Sequence, residues 1–151
     1  MKQRNAAKTP VNKQYDYLIG IDPGTNTGFV SWNVKEQKFE YIETTSIHYA
    51  MFQFFDANPN EIIKVYIEDS RNVSRGFGGA AKAQGAGSIK RDCNIWEDFL
   101  KDLGIDYQFI RPNKKSMLKM DDKAFRALTG WDKRTSNHAR DAAMLVFGRT
   151  N

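Results

Sequence analysis

The sequence predicts one α/β domain built on a mixed five-stranded sheet flanked by helices. Three observations carry this expectation. Five runs of strand length, apolar or alternating, are each closed by a turn signal. The first three follow one another with only short polar links, the pattern of an antiparallel meander. The later ones are separated by segments of helical spacing, the pattern of parallel strands covered by helices. A chain of 151 residues is long enough for one sizeable core, and no internal repeat or linker divides it.

Taken in order, residues 1–14 carry Lys2, Arg4, Lys8 and Lys13 without an acid and contain Pro10. They read as a disordered basic tail ahead of a domain over 15–151. Tyr17 to Ile21 is a short apolar run stopped by Asp22-Pro23-Gly24. Thr27 to Val34 and Lys38 to Thr45 alternate and complete the meander. Ile47 to Phe55 has helical spacing and ends before Asn58-Pro59. Ile62 to Glu68 reads as a buried strand ending in two acids. Residues 71–79 are glycine-rich and predict a mobile loop. A long helix follows, from Ala80 or Ala81 to Leu103, with Ile89, Trp96, Phe99, Leu100 and Leu103 at helical intervals and Gly104 as its stop. For Trp96 and Phe99 a place in the core is the expectation. Ile105 to Ile110 alternates as a strand, residues 122–129 form a short helix, and Asn137 to Phe147 a final one.

Composition narrows the function classes. The chain is 40% hydrophobic and 27% charged, which is globular. No run approaches the ~18 apolar residues of a membrane span, and no apolar segment follows the basic start as it would in a secretory signal. The expectation is an intracellular protein. The single cysteine, Cys93, excludes an intrachain disulfide and a cysteine-rich zinc site. The formal charge of +5 is unevenly spread. Residues 36–70 hold seven acids against two bases, and residues 111–140 hold nine bases against three acids. Such clustering suits either a polyanion lying on one face or a solvated basic surface.

Three carboxylates occupy comparable places: Asp22 at the end of the first strand, Glu68 at the end of the fourth, and Asp141 on the last helix. If the first and fourth strands are neighbours, Asp22 and Glu68 lie side by side, and a helix packed on that sheet can deliver Asp141. His138, three residues before Asp141, projects from the same helix face. Clustered carboxylates repel unless a cation neutralises them, so the group is expected to hold Mg²⁺, with Mn²⁺ as the alternative. Two such ions can serve phosphodiester hydrolysis. Each residue has a plainer alternative: Asp22 as a turn former, Glu68 as a solvated or capping acid, His138 as a hydrogen-bonded histidine.

The segments IGIDPGTNTGF, VYIEDS and NHARDAAML, in this order and on these elements, resemble the RuvC-type Holliday junction resolvases of bacteria and their phages. The resemblance spans about residues 16 to 148. It implies the RNase H-like fold and a homodimer that nicks a four-way DNA junction symmetrically, leaving 5′-phosphate and 3′-hydroxyl ends. It also implies Asp22, Glu68 and Asp141 as catalytic metal ligands. His138 falls where many members have a fourth acid and others a histidine, and it joins the set as a ligand or as a contact to water or phosphate. Lys115 is the best match to the family's phosphate-contacting lysine, with Lys114 as its rival and Lys119 in the same basic segment. Phe77, an aromatic between glycines, suits stacking on an unpaired base, with Arg71, Arg75 and Lys82 flanking it as phosphate contacts. Gly85, Gly87 and Ile89 on the long helix are candidates for the dimer surface.

Other readings remain at this point. The same centre could cut flaps, forks or RNA–DNA hybrids. The IDPGTNTG turn also resembles that of actin-like and sugar-kinase ATP-binding domains, which close two such domains around a nucleotide. A non-catalytic junction-binding protein is the third.

Overall fold

The computed structural model describes residues 12–71, 80–112 and 120–151, with the side chains of 80–84 and 86 excepted. Apart from Arg71, the expected mobile loop over 71–79 lies outside them, as does most of the expected tail. The elements are β1 (Tyr17–Asp22), β2 (Thr27–Asn33), β3 (Lys38–Thr45), α1 (Ile47–Phe52), β4 (Ile63–Glu68), α2 (Ala80–Leu103), β5 (Asp106–Ile110), α3 (Asp122–Thr129) and α4 (Asn137–Met144). This is the predicted order. The sheet runs β3-β2-β1-β4-β5, antiparallel within the meander and parallel from β1 to β4 and from β4 to β5. The two helices predicted through residues 55 and 147 stop at Phe52 and Met144, each giving way to turn residues.

Period-two alternation sorts the strand residues onto two cores. Leu18, Val30, Trp32, Phe39 and Tyr66 face Phe125 of α3 and Ala142, Ala143 and Val146, on and just after α4. Ile19, Ile21, Phe29, Val65 and Ile67 face Ala50 of α1 and Trp96 and Leu100 of α2. Trp96 is fully buried and Phe99 packs against this second cluster, so both belong to the core as expected. Removing a ring as deeply placed as Trp96 costs about 3–5 kcal/mol.

Local chemistry sets the ends of the last two helices. Asp121 and Ser136 cap α3 and α4 by accepting from the Ala124 and Ala139 amides, and Gly130 closes α3 in the left-handed region at φ 73°. Arg140 of α4 reaches back to the segments that flank α3. Its Nε donates to the Met120 carbonyl at 2.8 Å, and its two terminal nitrogens to the Thr135 carbonyl and Asn137 Oδ1, each at 2.5 Å. It is only 8% exposed, so this member of the basic 111–140 stretch belongs to the interior and not to a charged face. The reason is its helical register, which turns it toward the α3–α4 loop, where carbonyls need donors.

Candidate active site

β1 and β4 lie side by side and parallel, with Ile21 opposite Ile67, so their C-terminal ends present Asp22 and Glu68 together. The chain after Asp22 turns at once, and Thr27 Oγ1 closes that turn by donating to the Gly24 carbonyl at 2.8 Å. β2 then returns antiparallel with Gly28 opposite Asp22.

Helix α4 reaches this edge because two glycines let it down onto the sheet. A Cβ placed on Gly20 would lie 2.2 Å from the Ala142 carbonyl oxygen, and one on Gly28 would lie 2.0 Å from that of His138. The two carbonyls are one helical turn apart, so α4 rests its backbone on β1 and β2 directly. Ser136 at its start also bonds Thr44 at the end of β3. A glycine inside a strand commonly marks such a close approach; this signal was present at both positions and escaped the sequence reading.

The result is a group in which one oxygen each of Asp22, Glu68 and Asp141 lies within 4.8 Å of the others. His138 Nδ1 is 2.9 Å from Asp22 Oδ2, so the imidazole joins the group through Asp22. The Asp22 side chain is 14% exposed and that of His138 50%; Asp141 sits at the exposed rim. Two ionised carboxylates at this separation repel by about 3.5 kcal/mol at an effective dielectric of ~20. Burial and then the charges of Asp22 and Asp141 push the Glu68 carboxyl up to about 7. Burial likewise raises Asp22, against the lowering effect of the His138 contact. The donors are hard oxygens from three acids, which fits a small divalent cation of the Mg²⁺ or Mn²⁺ kind.

Arg71 is described and turns away from the carboxylates: its guanidinium bonds Asp69, Asn94 and Glu97. Arg75, Phe77, Lys114, Lys115 and Lys119 lie outside the described residues, as does the side chain of Lys82. On α2, no described atom lies within 4 Å of a side chain begun at Gly85 or Gly87, and Ile89 is 37% exposed.

A mixed five-stranded sheet of this order with helices on both faces is an RNase H-like fold, and Asp22 and Glu68 at the ends of β1 and β4 meet Asp141 of α4 on it. Among solved structures the chain is similar to RuvC of T. thermophilus in complex with a Holliday junction substrate. Identity is 15%, the TM-score 0.58, and the match covers 87% of this chain and 90% of that one. A second Thermus thermophilus RuvC structure matches at 16% identity and a TM-score of 0.51, covering 87% of this chain and 91% of that one. No family model and no curated protein matches the chain by sequence. Among the described residues no helix is long and apolar enough to cross a membrane.

Proposed function

We propose that this chain is a divalent-metal-dependent endonuclease that resolves four-way DNA junctions. The observation that carries the reading is the convergence of Asp22, Glu68 and Asp141 within 4.8 Å on a fold shared with a RuvC solved with its junction substrate. Asp22, Glu68 and Asp141 would hold the metal, Mg²⁺ in the first instance and two ions per site. A divalent ion held there supplies Lewis-acid stabilisation of charge at the scissile phosphate. Within the chain, His138 orients the Asp22 carboxylate through Nδ1, and the turn after Asp22 keeps that carboxylate at the strand end. In the hydrolysis, water adds to phosphorus as the bond to the 3′ oxygen breaks, leaving 5′-phosphate and 3′-hydroxyl ends.

A four-way junction offers two equivalent phosphates, and a two-fold dimer answers both. The open outer side of α2 at Gly85, Gly87 and Ile89 supports a homodimer there. Arg75, Phe77, Lys82, Lys114, Lys115 and Lys119 are proposed as DNA contacts, and the cytoplasm as the site of action. The test is cleavage of a synthetic mobile junction beside flaps, forks and RNA–DNA hybrids, with the nicks mapped on all four strands. Paired symmetric nicks in the junction alone are expected. Equal cutting of flaps or hybrids would replace the junction reading with a broader nuclease, and ATP binding without cleavage would reject both.

A further inference from the structure

Glu68 and Asp69 are consecutive, yet they serve opposite faces of the sheet. Glu68 points to the α4 side and its carboxylate group. On the α2 side, the Asp69 carboxylate receives Arg71 in a two-pronged contact, Nε to Oδ1 at 2.9 Å and Nη2 to Oδ2 at 3.1 Å. The Arg71 amide also donates to Oδ1 at 3.1 Å, closing a tight turn. Nη1 bonds Glu97 Oε2 at 2.8 Å and Asn94 Oδ1 at 3.1 Å, both on α2. The guanidinium carbon lies 4.2 Å from the ring centre of Phe109, whose strand neighbour is Ile67. The Arg71 side chain is 20% exposed. Four of its N–H donors are therefore spent inside the protein, behind the strand that carries Glu68.

We infer that Arg71 is a positioning residue: clamped between Asp69, α2 and Phe109, it holds the end of β4 so that Glu68 stays in the metal-binding group. Glu68 needs such a hold, because Asp22 and Asp141 repel its carboxylate and a strand end is where a backbone yields most readily. Two further bonds pin the same backbone: the Asp69 amide donates to the Ile110 carbonyl at 2.8 Å, and Cys93 Sγ approaches the Glu68 carbonyl at 3.7 Å. The clamp adds a tie to α2 that these do not make. A planar guanidinium fits this geometry, and a lysine, a point charge, would not reproduce it. The inference rests on the proposed metal role of Glu68.

The test compares wild type, Arg71→Lys, Asp69→Asn and Glu68→Gln in three measurements: Mn²⁺ affinity of the DNA-free protein by calorimetry well below the melting temperature, the salt dependence of junction binding, and kcat against KM. Arg71→Lys and Asp69→Asn are expected to weaken Mn²⁺ binding about 10- to 100-fold, the range for groups that orient metal ligands. They should lower kcat while leaving the salt slope and KM in place. A lower melting temperature with unchanged Mn²⁺ affinity would mean mere structural support and would overturn the inference. A salt slope reduced by about one unit with metal affinity intact would make Arg71 a phosphate contact instead. If Arg71→Lys fails to fold, Asp69→Asn, which keeps the turn-forming oxygen, carries the same readouts. Glu68→Gln separates the two levels. Should wild type bind no Mn²⁺, or Glu68→Gln bind it equally well, the metal-site reading fails regardless of Arg71. Loss in Glu68→Gln with no change in the clamp variants fails this inference alone.

Discussion

Two charged groups flank the end of β4, and they treat the same chemistry in opposite ways. On the α2 side, the bond to Arg71 holds the Asp69 and Glu97 carboxyls below their usual range. On the α4 side, burial and the charges of Asp22 and Asp141 push Glu68 up to about 7. Adjacent acids in the sequence thus differ in what surrounds them: Asp69 meets an arginine supplied by the chain, whereas Glu68 meets two more carboxylates. The first arrangement is electrostatically closed and holds structure together. The second accumulates negative charge at one point, the condition that calls for a cation from outside.

Neutralising single acids breaks this contrast most strongly. Asp22→Asn, Glu68→Gln or Asp141→Asn should each lower single-turnover junction cleavage by ~10³-fold or more, since each would remove a ligand of the reacting ion. A gel-shift measurement should show junction binding retained, and cleavage within tenfold of wild type would remove that residue from the site. Gly28→Ala comes next. Its new methyl would have to displace the His138 carbonyl, and overpacking against backbone is expected to cost about 3 kcal/mol in a urea titration. Because α4 would lift, metal binding should weaken with it; an unchanged midpoint would show that α4 has room to shift.

His138→Ala should lower activity about 10- to 100-fold through loss of the hydrogen bond that orients Asp22, measured as cleavage rates at sub-saturating metal, with recovery as the metal is raised. An equal loss at every metal concentration would assign His138 to water or phosphate, and recovery at high metal would assign it to ion binding.

The smallest effect is a pair of opposed pH slopes in the stability of the metal-free protein. With Glu68 raised, the folded state binds more protons than the unfolded one. Its contribution is therefore full below the ordinary carboxylate range and fades as pH climbs through about 7. Asp69 is lowered, so its contribution is present at neutral pH and is lost as pH falls through its depressed value. Melting temperatures taken against pH should decline by on the order of 5 °C on the Glu68 limb. Glu68→Gln should shrink that limb, which the raised Asp22 shares, and Asp69→Asn should shrink the acid one, which the lowered Glu97 shares. Mn²⁺ should raise the melting temperature more at pH 8 than at pH 5, because protons compete for the same oxygens; the reverse order would contradict the raised Glu68.

Most elements were legible because their signals are local. The alternation of residues 38–45, the Gly104 stop and the apolar run before Asp22 each depend on a few neighbours. The candidate carboxylates could be nominated for the same reason, since Asp22 and Glu68 end readable strands and Asp141 sits on a readable helix. What escaped were pairings between distant residues. Arg71 was expected among the phosphate contacts flanking Phe77, and only packing against Phe109 and α2 shows where its donors go. Arg140 looked like one of nine clustered bases, and helical register buries it. Gly20 and Gly28 read as ordinary strand glycines until a helix is laid across them.

The sequence by itself determined the order and kind of the elements, the alternation that assigns each strand residue to a face, and the positions of Asp22 and Glu68 at strand ends and of Asp141 on the last helix. These follow from backbone sterics and from side-chain periodicity over a few residues. Tertiary structure decided which acids meet and which are neutralised from within. That depends on β1 lying beside β4, on α4 sinking onto two glycines, and on Arg71 crossing to the face opposite Glu68. Charges interact through space at distances of a few ångströms, and no local pattern records which distant groups folding brings that close.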